Sequence, residues 1–102
     1  NTDMLKIDDL IIHKDSHKVY VSDKEIILTN KEFQLLLFLA EHPNRVWSKE
    51  SLFEQIWEMD IYDTDVATVV VHIKRLREKL KNAQSSTQPI ETIWGVGYRF
   101  NL

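Results

Sequence analysis

Residues 66–81 read VATVVVHIKRLREKLK, and this stretch decides the fold of the chain. Its apolar side chains recur at intervals of four, three and four residues, the spacing of one helix face; they are Val69, Ile73, Leu76 and Leu80. A helix rises about 1.5 Å per residue, so this one is expected to be roughly 24 Å long. If the apolar face is buried, Val71 points almost directly outward, with Lys74 and Arg75 beside it.

The same stretch is basic within an acidic chain. The 102 residues carry 13 Lys and Arg against 16 Asp and Glu, so the formal net charge is −3. Residues 66–81 hold five cations and a single acid, Glu78, which gives +4 and leaves −7 for the rest. Net acidity argues against a nucleic-acid partner, since such domains are usually basic. The segregation argues the other way, because a phosphate backbone responds to charge within a Debye length of about 8–10 Å.

Residues 4–28 have the period of β-strands. Apolar residues stand two apart in four short runs: Leu5 and Ile7, Leu10 and Ile12, Val19 and Val21, and Ile26 and Leu28. Residue types that favour turns separate the runs, at Asp8-Asp9, Asp15-Ser16 and Ser22-Asp23. This pattern predicts a four-stranded antiparallel sheet.

A first helix is predicted to begin after Thr29. Thr29 and Glu32 have the spacing of a capping box, in which the hydroxyl and the carboxylate each accept a free backbone N–H. Residues 33–40 are apolar nearly all round, which favours a central buried helix. Pro43 and Asn44 are expected to follow its end.

A second helix is predicted over residues 49–57, with Ser48 as its N-cap. Its apolar residues form a two-column stripe; they are Leu52, Phe53, Ile56 and Trp57. Residues 58–65 are polar and acidic, so we expect a loop between the second helix and the basic helix.

The chain has only two glycines, Gly95 and Gly97, and both lie in residues 94–98, WGVGY. Aromatic and β-branched neighbours indicate a hairpin whose turn needs positive φ. The predicted fold is α+β, a winged helix-turn-helix in a single domain over residues 1–102. Its parts are an N-terminal four-stranded antiparallel sheet (4–28), a three-helix core (29–81) and a C-terminal β-hairpin wing (90–101).

The outward face of the basic helix has the chemistry to read DNA. In the major groove, a Val71 methyl can contact a thymine methyl, and Arg75 can donate two hydrogen bonds to guanine. Lys74, Arg77 and His72 lie nearer the helix edges, where phosphates would be. A basic helix is also often only a solvated surface, and lone exposed valines are common. The helix by itself leaves both interpretations open.

Three segments resemble OmpR/PhoB-type response regulators, in that family's order and spacing. Residues 68–80, TVVVHIKRLREKL, resemble the recognition helix; residues 92–100, TIWGVGYRF, resemble the wing hairpin; and residues 28–36, LTNKEFQLL, resemble the entry to the first helix. The resemblance covers essentially the whole chain. It implies the C-terminal effector domain of a transcription factor that binds double-stranded DNA.

The resemblance also implies roles for particular residues. The residues expected to contact bases are Arg75, Val71 and Val70. The residues expected to contact the sugar-phosphate backbone are Thr68, His72, Lys74, Arg77, Trp57, Tyr98 and Thr92. The wing, residues 92–100, is expected on the adjacent minor groove or backbone, with Trp94, Gly95 and Gly97 at its turn. Relatives commonly have Arg at position 67, Asp at 70 and Arg at 94, where this chain has Ala67, Val70 and Trp94.

Further expectations concern the protein as a whole. The resemblance implies binding to direct DNA repeats, homodimerisation through a receiver domain absent from this sequence, and contact with RNA polymerase through the 58–65 loop. The chain begins with Asn1 and shows no signal peptide, so we expect a piece of a longer cytoplasmic protein. No apolar run approaches the roughly 18 residues of a membrane span, so no membrane partner is expected.

Other function classes lack a motif. Cysteine is absent, which excludes disulfides and thiolate chemistry. His13 and His17 are four apart but fall on a strand and a turn, so a zinc site is not expected. With no phosphate-binding loop or nucleophile motif, we expect no catalytic residues, metal or cofactor. A protein-interaction module remains the alternative function.

Overall fold

The computed structural model describes residues 3–57, 65–83 and 88–102. Its elements, in chain order, are β1 (Met4–Ile7), β2 (Leu10–His13), β3 (Lys18–Val21), β4 (Lys24–Ile26), α1 (Asn30–Glu41), β5 (Val46–Trp47), α2 (Lys49–Trp57), α3 (Ala67–Asn82), β6 (Ile90–Ile93) and β7 (Gly97–Phe100). The predicted α+β order of four strands, three helices and a hairpin is confirmed. The predicted 58–65 loop lies outside the described residues, apart from Asp65.

The N-terminal strands form an antiparallel sheet in the order β1-β2-β3-β4. Alternate side chains of the two central strands are buried against the helices; they are Leu10, Ile12, Val19 and Val21. Ser22 and Asp23 both adopt positive φ, at 50° and 67°. Two consecutive positive φ values make the tight hairpin turn that suits the twist of β3 and β4. The predicted period and this predicted turn are both confirmed.

Capping places the first two helices where the sequence predicts them. Thr29 Oγ1 accepts the Glu32 N–H at 3.3 Å, and Glu32 Oε1 accepts the Thr29 N–H at 3.0 Å, so the capping box is complete. The Ser48 hydroxyl accepts the Ser51 N–H at 3.1 Å and caps α2. The His42 ring donates from Nδ1 to the Phe38 carbonyl at 2.9 Å, which satisfies a free acceptor at the end of α1.

The basic helix, α3, packs against both α1 and α2. The side chains predicted to face inward are all buried; they are Val69, Ile73, Leu76 and Leu80. The helix begins at Ala67, one residue later than predicted, and Asp65 accepts the free Ala67 N–H at 2.9 Å. No helix among the described residues is long and apolar enough to span a bilayer.

The C-terminal hairpin belongs to a larger sheet than predicted. Val46 and Trp47 form β5, which pairs antiparallel with β7 and gives the order β5-β7-β6. The sequence prediction of a two-stranded wing was therefore incomplete. A two-residue strand is too short to show an alternating pattern, so only its partner reveals it. The extra strand ties the wing to the segment between α1 and α2.

The two wing glycines serve different purposes, and the positive φ predicted for the hairpin turn is found at Gly95. Gly95 has φ +80°, and a Cβ added there would meet nothing. Gly97 has no positive φ; a Cβ there would overlap the carbonyl oxygen of Trp47 and lie 2.8 Å from Ser48 Cα. Gly97 is required because the backbone of β5 passes directly against it.

We expect Gly97→Ala to lower the free energy of unfolding more than Gly95→Ala. Alanine at position 95 meets only the left-handed backbone penalty of about 1–2 kcal/mol. Alanine at position 97 must push the β5 backbone aside, which places its cost at the upper end of the usual overpacking range of about 1–3 kcal/mol, because the obstructing atoms are backbone. Urea unfolding of both variants, compared with the unaltered chain, measures this. Equal unfolding midpoints for the two variants would contradict the assignment of separate roles.

Candidate nucleic-acid interface

The outward face of α3 points away from the hydrophobic core and is exposed to solvent. Val70 and Val71 are 41% and 44% exposed, and Lys74 and Arg75 are exposed next to them. Within the described part of the chain, neither Lys74 nor Arg75 enters an ion pair. Two cations and two small apolar side chains therefore share one surface, which is the placement that the helix period predicts.

The basic stretch does not present all of its cations on that surface. The Lys79 ammonium, one turn beyond Arg75, lies 2.6 Å from Oε1 of the buried Glu32. Arg77 donates from Nη1 to the Thr92 hydroxyl at 2.6 Å. The sequence-based count of five cations therefore overstates the free charge, because Lys79 stands beside the buried stripe and its stem reaches inward. The exposed cations of α3 are Lys74, Arg75 and Lys81.

Glu32 links the first helix to the third. Burial would raise the pKa of its carboxyl, but hydrogen bonds from Lys79 and from the Thr29 backbone outweigh burial and hold the pKa below its ordinary value. The same carboxylate closes the capping box of α1. A single buried charge therefore caps α1 and holds the C-terminal half of α3 against it.

Thr68 and His72 lie one turn apart on the edge of α3 and are half-buried. His72 Nδ1 is 2.7 Å from the Thr68 carbonyl, which can only accept, so Nδ1 carries the proton of this bond. The ring meets Trp57 edge-on, with 5.1 Å between the centroids. This bond and this contact hold the imidazole in one orientation.

Trp57 is a core residue in this structure. It is 2% exposed, lies parallel to Phe53 with 5.9 Å between ring centroids, and has the Lys31 ammonium 5.4 Å from its ring. Little of the indole surface of Trp57 is therefore accessible for the phosphate contact that the resemblance implies. Its position at the end of α2 is as predicted, but the sequence alone does not show how completely α3 covers the ring.

The wing faces α3 through Thr92 and Tyr98, which pair across β6 and β7. Tyr98 is 9% exposed; burial raises the pKa of its phenol, and the nearby Arg77 opposes that shift. The Arg77–Thr92 hydrogen bond joins helix to wing directly. Both of its partners are half-buried, so part of their polar surface already serves the fold.

A groove of about 450 Å³ separates α3 from the wing. Val70 and Lys74 border it from the helix, and Trp94 borders it from the wing turn. Lys81 and Gln88 also border the groove, and neither was predicted as a site residue. The charge of Lys81 is visible in the sequence. The Gln88 side chain donates to the Arg77 carbonyl at 3.2 Å. Only the fold reveals Gln88, because no motif marks it.

The histidines outside α3 have ring neighbours. His13 meets Tyr20 edge-on, and the His17 ring stacks on Phe33 with 4.4 Å between centroids. Among the residues that the structure describes, no group of three or more His, Cys, Asp or Glu is placed to hold a metal ion.

An exposed basic helix preceded by a second helix and followed by a β-hairpin defines the winged helix-turn-helix class. Residues 23–100 match the family model described as "Transcriptional regulatory protein, C terminal". The chain belongs to this family, the OmpR/PhoB-type C-terminal DNA-binding domains of response regulators. The resemblance noted in the sequence is therefore confirmed.

Three comparisons illustrate the relationship. The transcriptional regulatory protein SrrA of Staphylococcus aureus is 42% identical over 101 residues, which are 98% of this chain and 42% of SrrA. The response regulator DrrB of Thermotoga maritima, an OmpR/PhoB homologue, superposes with a TM-score of 0.84 at 37% identity, over 98% of this chain and 45% of DrrB. The DNA-binding domain of the response regulator AdeR, solved in complex with an intercistronic region, superposes with a TM-score of 0.83 at 27% identity, over 95% of this chain and 98% of that one. This chain therefore spans less than half the length of SrrA and DrrB.

We expect Lys79→Ala to destabilise the domain by about 1–3 kcal/mol, because it leaves the buried Glu32 carboxylate without its cation. Lys81→Ala, two residues further along the same helix, removes an exposed cation and should stay within about 0.5 kcal/mol. Chemical denaturation at neutral pH measures both. Equal losses of unfolding free energy for the two variants would show that the Glu32–Lys79 contact stabilises the domain no more than an exposed cation does.

The same pair predicts a pH dependence. Because folding lowers the pKa of Glu32, its contribution is fully present above the ordinary carboxyl pKa of about 4.3 and is lost as pH falls through the lower folded value. The stability difference between the unaltered chain and Glu32→Gln should therefore shrink with acidification below about pH 4. Urea unfolding at a series of pH values tests this; a constant difference over that range would contradict it.

Proposed function

We propose that this chain binds double-stranded DNA at specific sequences, as the effector domain of a two-component response regulator that controls transcription. The observation that carries the proposal is the outward face of α3, where Val71, Lys74 and Arg75 are exposed and neither cation is paired with an acidic side chain of residues 3–57, 65–83 or 88–102. Such a helix inserts into the major groove in helix-turn-helix proteins. The wing, residues 92–100, then lies on the adjacent minor groove or backbone.

Different residues on this surface do different work. Arg75 donates to a guanine edge, and Val71 and Val70 place methyl groups against thymine methyls. Lys74 neutralises a phosphate, and the half-buried Thr68 and His72 approach the backbone from the helix edge. The N–H groups of Arg77 that do not donate to Thr92 donate to a phosphate. The hydroxyl groups of Thr92 and Tyr98 donate to the same stretch of the DNA backbone. Trp57 contributes at most through its indole edge.

The whole regulator extends this proposal. A single DNA-binding module covers only about 600–1,000 Å² of its own surface, so two copies on direct repeats bind more tightly than one. A receiver domain outside this sequence brings the copies together as a homodimer, and the 58–65 loop contacts RNA polymerase. The regulator works in the cytoplasm and without catalysis, metal or cofactor. The family resemblance is the support for these points. Residues 58–64 of the proposed polymerase-contacting loop lie outside the described structure.

Selection of bound duplexes from a random pool tests the proposed function. We expect a short enriched motif that recurs in tandem when the full-length regulator is used. The isolated domain should enrich a single copy of that motif. No enrichment, together with no salt-dependent binding of any duplex, would overturn the proposal and favour a protein-interaction module.

We expect Arg75→Ala and Lys74→Ala to weaken binding in different ways. Loss of Arg75 should cost about 1–3 kcal/mol on the selected site and relax the preference at one base pair. Loss of Lys74 should weaken selected and random duplexes about equally and reduce the salt slope by about one. Titrations of both variants on both duplexes at several salt concentrations measure this. Identical losses for the two variants would contradict the division into base and phosphate contacts.

A further inference from the structure

His72 lies at the edge of α3 that faces α2. Successive residues of a helix are rotated by about 100°, so His72 stands beside Thr68 and Arg75 and on the opposite edge from Lys74. Its ring meets Trp57 of α2 edge-on, whereas Lys74 borders the groove beside the wing. The two edges of α3 therefore differ: an exposed ammonium stands on the wing side, and an imidazole stands on the α2 side.

The proton on Nδ1 of His72 is bound to the protein's own backbone. Nδ1 lies 2.7 Å from the Thr68 carbonyl oxygen, and two acceptors would repel each other at that distance, so Nδ1 is the donor. Nε2 makes no hydrogen bond to the described residues. Within that part of the chain, the one buried side-chain nitrogen or oxygen without a partner belongs to Trp47. Nε2 of His72 is therefore accessible to solvent.

A DNA phosphate needs a donor, because its oxygens can only accept hydrogen bonds. In the neutral ring of His72, Nε2 is a second acceptor and repels a phosphate oxygen. The imidazolium donates from both nitrogens, so Nδ1 keeps the Thr68 carbonyl while Nε2 forms a charge-assisted hydrogen bond to phosphate. Histidine changes its charge between about pH 5 and 8, so this difference between the two forms falls in the physiological range.

We infer that His72 binds a DNA phosphate in its imidazolium form, so that DNA binding by this chain takes up a proton. This inference rests on the proposed function and adds a pH dependence to the backbone contact at the α2 edge of α3. Phosphates carry no sequence information, so the proton strengthens binding to selected and random duplexes alike. For a single proton, affinity falls by at most about ten-fold per unit of rising pH.

The charged groups of the described residues around this imidazole are present with and without DNA. From α1, the Lys31 ammonium lies 5.4 Å from the centroid of the Trp57 ring. From α2, the uncharged Trp57 contacts the imidazole, and the exposed Glu54 lies one turn earlier. On α3, Arg75 stands one turn beyond the imidazole, and Asp65 precedes the helix. Phosphate is the charge that arrives with the duplex, so the proton uptake accompanies binding.

Duplex titrations at pH 6, 7 and 8, each at several salt concentrations, test the inference. The unaltered chain should bind about ten-fold more weakly at pH 8 than at pH 6. Its salt slope should be smaller by about one at pH 8, because the neutral ring displaces no counterion. His72→Gln, which can donate only a neutral hydrogen bond, should remove both changes. His72→Arg, whose charge is permanent, should keep the steeper slope at every pH.

His17→Gln is the matched control. His17 is exposed between β2 and β3 and stacks on Phe33, so this variant should keep the full pH dependence. Calorimetric titration in two buffers of different ionisation enthalpy reports the proton directly. Proton uptake near pH 7 should be measurable for the unaltered chain and for His17→Gln, and absent for His72→Gln.

The possible failures are distinguishable. If the unaltered chain binds no duplex at any pH, the proposed function itself fails. If it binds equally well at pH 6 and pH 8, the inference alone is wrong: a neutral ring then donates from Nε2 and accepts the Thr68 hydroxyl, which lies 3.3 Å from Nδ1. A pH dependence that survives in His72→Gln would also overturn the inference, because another group would then take up the proton.

Discussion

Burial of one face of α3 is the constraint on which the rest of the structure depends. Val69, Ile73, Leu76 and Leu80 are enclosed by α1 and α2, and full burial of each such side chain is worth about 1.5–3 kcal/mol. A helix anchored in this way along about three turns cannot rotate about its axis without exposing that surface. The opposite face is therefore held outward, and its chemistry is presented at a fixed angle.

Polar contacts add the second layer of order. The Glu32 carboxylate joins the cap of α1 to Lys79, and Arg77 joins α3 to the wing through Thr92. Lys79 and Arg77, which the sequence pattern places on the helix surface, are each bound in one of these contacts. The domain consequently combines an acidic total charge with a small, well-defined positive surface around Lys74 and Arg75. Phosphate attraction depends on that local surface rather than on the net charge.

Local signals in the sequence predicted most of the fold. The capping box of Thr29 and Glu32, the bounds of α2 and the inward stripe of α3 all follow from spacing within one element. The missed features each need a neighbour distant in the chain. Lys79 turns inward because Glu32 lies across the helix interface, and Gly97 needs no side chain because β5 passes against it.

The most direct test of the central claim compares three consecutive valines of α3, Val69, Val70 and Val71, by methyl NMR. The first is buried and the other two are exposed, although all three share one helical turn. On addition of the selected duplex, methyl groups of Val70 and Val71 should show cross-relaxation to thymine methyl or base protons, and Val69 should show none. Contacts to DNA from the N-terminal sheet, with the methyls of Val70 and Val71 unchanged, would contradict the claim that this face reads the major groove.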